Sequence, residues 1–194
     1  QGVKNLTAAF LELWSISSRK QEEYGRYLDA ASACPGTSGF VQPYADSPLD
    51  DERVGENVYL NLLKNAKKYC WITTPYLILD DEMMHELVLA AKRGVDVRVM
   101  TPGIPDKKMV YSLTRSYYHS LVRNGVRIFE YTPGFCHCKM SVADDVIATC
   151  GTINLDYRSL YHHFECATYM YRTDCISEIE KDYQETLRKC RPVT

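Results

Sequence analysis

HCKMSVADDVIATCGTIN, His137 to Asn154, is the stretch on which the reading of this chain turns. It reads as two short strands, about His137 to Val142 and Val146 to Cys150, with Asp144-Asp145 turning between them. His137 and Lys139 are two residues apart, and on a strand such residues share a face. An imidazole and an ammonium would then point at the same volume, which suits attack on a negatively charged phosphorus. Thr152 and Asn154, again two apart, can both donate hydrogen bonds, and Gly151 lets the backbone approach closely. The hairpin is expected to gather four phosphate-handling groups around one point. A His-x-Lys or a Gly-Thr-x-Asn alone says little. Together, in register, with an aspartate five residues after the lysine, they form a specific pattern.

Outward from the hairpin, strand and helix patterns alternate. Residues 4–20 read as an amphipathic helix with Leu6, Phe10, Leu13 and Trp14 on one side. Ala30 to Pro48, with its CPGTSG, reads as a loop. Asp50-Asp51-Glu52 lead into a helix running to about Lys68. Tyr69 to Thr73 is an apolar strand, and Asp80 caps a helix, MMHELVLAAKR, that Gly94 ends. Strands follow at Val95 to Met100 and Val126 to Tyr131, separated by one long helix over Asp106 to Arg123. Glu165 to Tyr171 is the last strand and Cys175 to Lys189 the last helix. The alternation predicts an α/β layered sandwich, a mixed sheet flanked by helices. The expected division is a helical segment over 1–30, a linker over 31–48 and the domain proper over 49–194. Tyr76, Leu77 and Ile78 follow a strand end, where open α/β sheets place ligands.

The 194 residues are 45% hydrophobic and 25% charged, which excludes a disordered or collagen-like chain. The longest apolar runs, such as LVLAA at Leu87, fall far short of the roughly 18 residues of a membrane span. The chain opens on Gln1 rather than Met and is expected to be part of something longer. The net charge of −2 argues against a dedicated nucleic-acid binder. It averages over blocks: residues 1–91 carry −5, residues 92–140 carry +6 and residues 141–194 carry −3. The basic middle suits either an anionic ligand or membrane face, or simply solvated element ends. Eight cysteines, without a secretory signal, read as free thiols. Cys136-His137-Cys138 has the wrong spacing for a zinc site, so no metal is expected there.

The pattern H-x-K-x4-D-x6-G-T-x-N resembles the HKD motif of the phospholipase D superfamily. The strings ITTPYLILDDEM, RGVDVRVMTPGIPDKK, TRSYY, EYTPGF and GTINLDYRSLYHHFEC are similar to the C-terminal half of bacterial cardiolipin synthases. The resemblance covers essentially the whole chain. It implies a phospholipase D-like fold and a phosphatidyl transfer that joins two phosphatidylglycerols into cardiolipin and glycerol, with no cofactor. It makes His137 either the nucleophile that forms a phosphohistidine or its general-acid partner. Lys139 and Asn154 would hold the non-bridging phosphate oxygens, with Thr152 at the small hydroxyl position. Asp144 would complete the motif as structural support. Glu165 would accept a hydrogen bond from the histidine's Nδ1, its alternative being a surface acid at a strand start. Cardiolipin synthases use two HKD motifs, and none of His85, His119 or His162 is followed by x-Lys. The resemblance therefore implies an N-terminal HKD half outside this sequence and a bacterial membrane location, with a single-motif phosphodiesterase or nuclease homodimer as the alternative.

Overall fold

The computed structural model describes residues 2–20, 23–28 and 38–194. Its elements are α1 (Gly2–Ser18), α2 (Gly25–Leu28), β1 (Phe40–Asp46), α3 (Val54–Asn65), β2 (Tyr69–Thr73), β3 (Leu77–Ile78), α4 (Asp81–Lys92), β4 (Asp96–Pro102), α5 (Lys108–Ser116), α6 (Tyr118–Arg123), β5 (Arg127–Tyr131), β6 (Met140–Ala143), β7 (Ile147–Gly151), β8 (Leu155–Asp156), α7 (Tyr157–His162), β9 (Glu165–Tyr171), α8 (Cys175–Leu187) and β10 (Cys190–Pro192). One sheet runs in the order β1-β9-β7-β6-β2-β4-β5-β10, and β3 pairs separately with β8. β2, β4 and β5 are mutually parallel, and the other neighbours in the large sheet are antiparallel. The fold is the expected α/β sandwich. β2 shows how its residues divide. Cys70 and Ile72 join the core built with Leu63, Leu87 and Leu121 of α3, α4 and α6. Trp71 points the other way and stacks on Tyr183 of α8 at 5.2 Å. A strand covered on both faces needs apolar side chains at every position, which is why YCWIT reads as an unbroken run.

Three expectations are corrected. Phe40–Asp46, within the expected linker over 31–48, is an edge strand paired with β9 from Phe40↔Tyr171 to Asp46↔Glu165. The Gly/Pro-rich composition of Ala30 to Pro48 made it read as a loop, but an edge strand tolerates a proline such as Pro43 because one side of its backbone needs no partner. Cys34 and the rest of residues 29–37 lie outside the described residues. The single helix expected over 106–123 is two, meeting at Tyr117. Beside the break, Tyr117 donates to the Leu79 carbonyl at 3.2 Å, and the Tyr118 hydroxyl meets Thr101 Oγ1 at 2.7 Å. Finally, the ladder of β6 begins only at Met140, opposite Thr73 and Cys150, so His137 and Lys139 stand on the lead-in to the strand.

The Asp144-Asp145 turn has φ of 54° and 58° at its two residues. This left-handed pair fits the twist of a tight hairpin, and aspartate tolerates it better than most residues. The Asp144 carboxylate accepts hydrogen bonds from the backbone N–H of Lys67, Lys68 and Tyr69 at 2.7, 2.8 and 2.8 Å. Asp145 accepts from the Tyr69 hydroxyl at 2.8 Å. The turn is thereby clamped to the connection between α3 and β2, at the end of the hairpin away from His137. Asp144, grouped by its motif with the catalytic residues, is a structural anchor. Asp144→Ala removes the acceptor of three N–H groups and places alanine at positive φ, so an equilibrium urea titration is expected to show a loss of about 2 kcal/mol. A loss below about 0.5 kcal/mol, the size of an ordinary surface substitution, would contradict the clamp.

Candidate functional site

The other end of the hairpin opens on a cavity of about 600 Å³. Its wall includes His137, Lys139, Gly151, Thr152, Asn154 and Glu165, so five of the six predicted site residues come together and Asp144 does not. The hairpin register makes this meeting possible. Met140 faces Cys150, so the residues before Met140 and those after Cys150 emerge side by side, and the Gly151 N–H donates to the Lys139 carbonyl at 3.2 Å. A Cβ on Gly151 would overlap the Cα of Ala167 and the carbonyl oxygen of Cys166 on β9. The site lies at the carboxyl end of β2, where Thr73 faces Met140.

Lys139 is buried, 8% exposed. Its Nζ lies 3.0 Å from His137 Nδ1 and donates to the His137 carbonyl at 2.7 Å. An ammonium has no lone pair, so Nδ1 is the acceptor and the neutral ring carries its proton on Nε2. Burial lowers the pKa of His137 below the ordinary 6.5, and the Lys139 charge lowers it further, against the opposing pull of Asp106. Burial also lowers the pKa of Lys139 from 10.5, opposed by Cys138 and Glu165. The pair thus favours a neutral imidazole beside a cation already stripped of much of its water.

Two roles differ from the expectation. Glu165 makes no hydrogen bond to His137. Its carboxylate accepts from the Thr152 hydroxyl and, at 2.6 Å, from Ser159 Oγ. Ser159 Oγ accepts in turn from the Asn154 N–H at 2.9 Å. Glu165 is therefore the hub that ties the end of β7 to α7, and Thr152 spends its proton on that hub. Asn154 lines the cavity with its side-chain Oδ1 buried and without a hydrogen-bond partner. Among the described residues no three of His, Cys, Asp and Glu gather as a metal-binding group, and the described cysteines carry free thiols.

Several lining residues were not singled out from sequence: Lys107, Val110, Asp156, Ser159 and His163. Asp156 could have been found as an N-cap, since its side chain accepts from the Ser159 N–H at 2.9 Å. Lys107 belongs to the basic block. Arg158 also lines the cavity. The rings of Tyr76 and His137 stand nearly perpendicular, 6.4 Å apart, and the Tyr76 hydroxyl donates to Asp106 at 2.5 Å.

The sequence family described as cardiolipin synthase, phospholipase D-like domain, matches residues 59–187. The chain is 54% identical, over its whole length, to 42% of an uncharacterised protein of Streptococcus mutans. It is 35% identical to a cardiolipin synthase of Alkalihalophilus pseudofirmus over 94% of the chain and 36% of that protein. It thus spans about two fifths of these relatives. Among solved structures it superposes on a phospholipase D family member, Nuc from Salmonella typhimurium, with TM-score 0.68 and 18% identity, covering 80% of this chain and 99% of that one. A phosphatidylserine synthase of Haemophilus influenzae matches with TM-score 0.65 and 17% identity, over 79% of this chain and 40% of that one. At these identities the structural likeness concerns the fold.

The electrostatics give a direct measurement. His137 is expected to titrate below 6.5 by NMR, because both burial and Lys139 favour its neutral form. Lys139→Met removes the charge and is expected to move the midpoint upward. A midpoint above 6.5, or no upward movement in the variant, would show that the imidazole does not feel the ammonium.

Proposed function

We propose, from the premise that the chain belongs to the family of cardiolipin synthase phospholipase D-like domains, that it supplies one half of a phosphatidyl-transfer site acting on phosphatidylglycerol. The observation that carries this reading is the convergence of His137, Lys139 and Asn154 on one cavity wall. Lys139 and the Asn154 amide hold the non-bridging phosphate oxygens. Once the ammonium leaves Nδ1 for a phosphate oxygen, Nδ1 is free to carry the ring proton and Nε2 to attack. In the transfer, a histidine Nε2 attacks phosphorus and forms a P–N bond. The P–O bond to glycerol breaks, and the departing alkoxide takes a proton from the histidine of the other HKD motif. That histidine then accepts the proton of a hydroxyl on a second phosphatidylglycerol, whose oxygen displaces the first histidine to give cardiolipin. His137 fills one of these two histidine roles. Each fixed donor to the developing charge is worth about 3 kcal/mol of barrier, so the site's own groups supply the field that the charge needs.

Several parts of the reading go together. Residues 49–194, with the edge strand before them, form the second phospholipase D-like domain of a longer protein. The N-terminal HKD half completes the site, and the enzyme works at the bacterial membrane with phosphatidylglycerol and cardiolipin as its ligands. A second reading, a single-motif phosphodiesterase active as a homodimer, draws support from the Salmonella structure, a chain of about the size of this domain. The greater length of the curated relatives favours the first.

The test uses the longer protein that contains this chain. His137→Ala is expected to abolish conversion of phosphatidylglycerol to cardiolipin while circular dichroism stays unchanged. Activity within about tenfold of wild type would refute the assignment, since even general acid help alone is worth about 10² to 10⁴. The 194-residue chain by itself is expected to make no cardiolipin from phosphatidylglycerol vesicles. Turnover near that of the longer protein, lost in His137→Ala, would favour the homodimer reading instead.

A further inference from the structure

The cavity wall formed by α5 continues outward as an apolar surface. Val110 lines the cavity. Met109 and Leu113, four residues apart, form one stripe of the helix beside it. Both are exposed, Met109 at 87%. Ile104 stands exposed on the connection entering α5, and the exposed ring of Phe135 lies 5.6 Å from that of His137. Basic charge accompanies these apolar groups. Lys107 is in the cavity wall, and Lys108 opens the helix in solvent. The nearest acid along the chain, Asp106, is engaged by the Tyr76 hydroxyl and by the Lys107 N–H at 2.7 Å.

We infer that this face, the Met109/Leu113 stripe of α5 with Lys107 and Lys108, docks on an anionic lipid bilayer and holds the cavity mouth against it. The inference rests on the reading of a phospholipid substrate given above. Composition selects the occupant. Lysine is depleted from the buried centre of protein–protein interfaces. A helix with apolar side chains on one stripe and lysines around it suits the boundary between headgroups and acyl chains, where the cations meet lipid phosphates. Continuity with the cavity gives the arrangement its use. The helix that would touch the acyl chains also supplies Val110 and the preceding Lys107 to the wall, so a phosphate can pass from headgroup level to His137 along one protein surface. Two inserted side chains on a nine-residue helix give weak, reversible attachment, fitting a site that must release its product into the bilayer.

Cosedimentation of the 194-residue chain with vesicles tests this. The probes are phosphatidylcholine alone and phosphatidylcholine mixed with phosphatidylglycerol. The chain is expected to bind the mixed vesicles and to bind the neutral ones much more weakly. Met109→Asp with Leu113→Asp is expected to weaken binding at least about tenfold. Lys108→Ala is expected to weaken it about fivefold at low salt. Both changes lie at exposed positions, and thermal unfolding checks that each variant is folded. Three results would overturn the docking: no preference for anionic vesicles, binding indifferent to these variants, or a dimer in gel filtration that the Asp double variant makes monomeric. The last would make the face an interface between copies. A soluble short-chain phosphatidylglycerol, followed through its effect on the His137 NMR signal, separates the two readings. Loss of vesicle binding with that effect intact leaves the phosphatidyl-transfer site standing; vesicle binding without it would sink the site and keep the docking.

Discussion

Everything at the cavity depends on the register of β6 against β7. Met140 faces Cys150 and Ala143 faces Ile147. A slip of one residue would send every side chain of the slipped strand to the opposite face, separating Lys139 from Asn154. Three features hold the register, and none is a ligand-facing side chain. The two positive-φ aspartates fix the turn, the Asp144 carboxylate fastens that turn to three N–H groups, and Gly151 allows β9 to approach where a Cβ would collide. The aspartate of the HKD pattern thus serves the histidine and the lysine from the far end of their own hairpin, by geometry rather than by charge.

A buried cation needs compensation, and the site supplies it in two layers. Directly, the Lys139 ammonium donates to the carbonyl and Nδ1 of His137. More distantly, Glu165 and Asp156 favour its charged form. The same acids hold the wall together, Asp156 by capping α7 and Glu165 by binding Thr152 and Ser159. α7 is secured from outside by Tyr161, whose hydroxyl lies between Glu56 and Asp80 while Arg53 stacks on its ring at 4.7 Å. Burial and the hydrogen bond with Asp80 push Glu56 up to about 7. The folded state therefore holds a proton there that the unfolded chain gives up near 4.5. This contribution to stability is full below that value and fades as pH rises toward 7. The helix carrying Arg158 and Ser159 to the cavity is accordingly best anchored on the acid side of neutrality.

How much of this was legible in the sequence follows from how local each cause is. β2, β9 and the Asp80 cap announce themselves within a few residues, through an apolar run, an alternation or a capping side chain, and the structure places them as read. β1 was missed because its cause is non-local: Pro43 is acceptable only at a sheet edge, and only the fold says where the edge is. The tyrosines at the break, Tyr117 and Tyr118, likewise find their partners far along the chain, at Leu79 and Thr101. At the site, the convergence of His137, Lys139 and Asn154 was readable because residue parity survives in an extended lead-in even before the ladder begins. The partner of Glu165 was not. Of its two donors, Ser159 comes from α7, a short helix that left only an Asp-x-x-Ser trace in the sequence.

The geometry of displacement at phosphorus adds one more constraint. Nucleophile and leaving group lie roughly in line on opposite sides of the phosphorus, so the proton donor for the leaving oxygen has to face the nucleophile across the substrate. His163 also lines the cavity, but it is exposed and its Nδ1 stands 3.9 Å from Glu165, too far for a hydrogen bond that would orient it. A loosely held imidazole near the same acid that binds Thr152 is not oriented for that task. The hydrogen-bonded groups, Lys139 and the Glu165 hub, line the same cavity as Asn154. Under the proposed function, the domain builds one side of a two-sided site, with Lys139 and the Glu165 hub as its fixed groups and its open side left for a histidine from across the substrate.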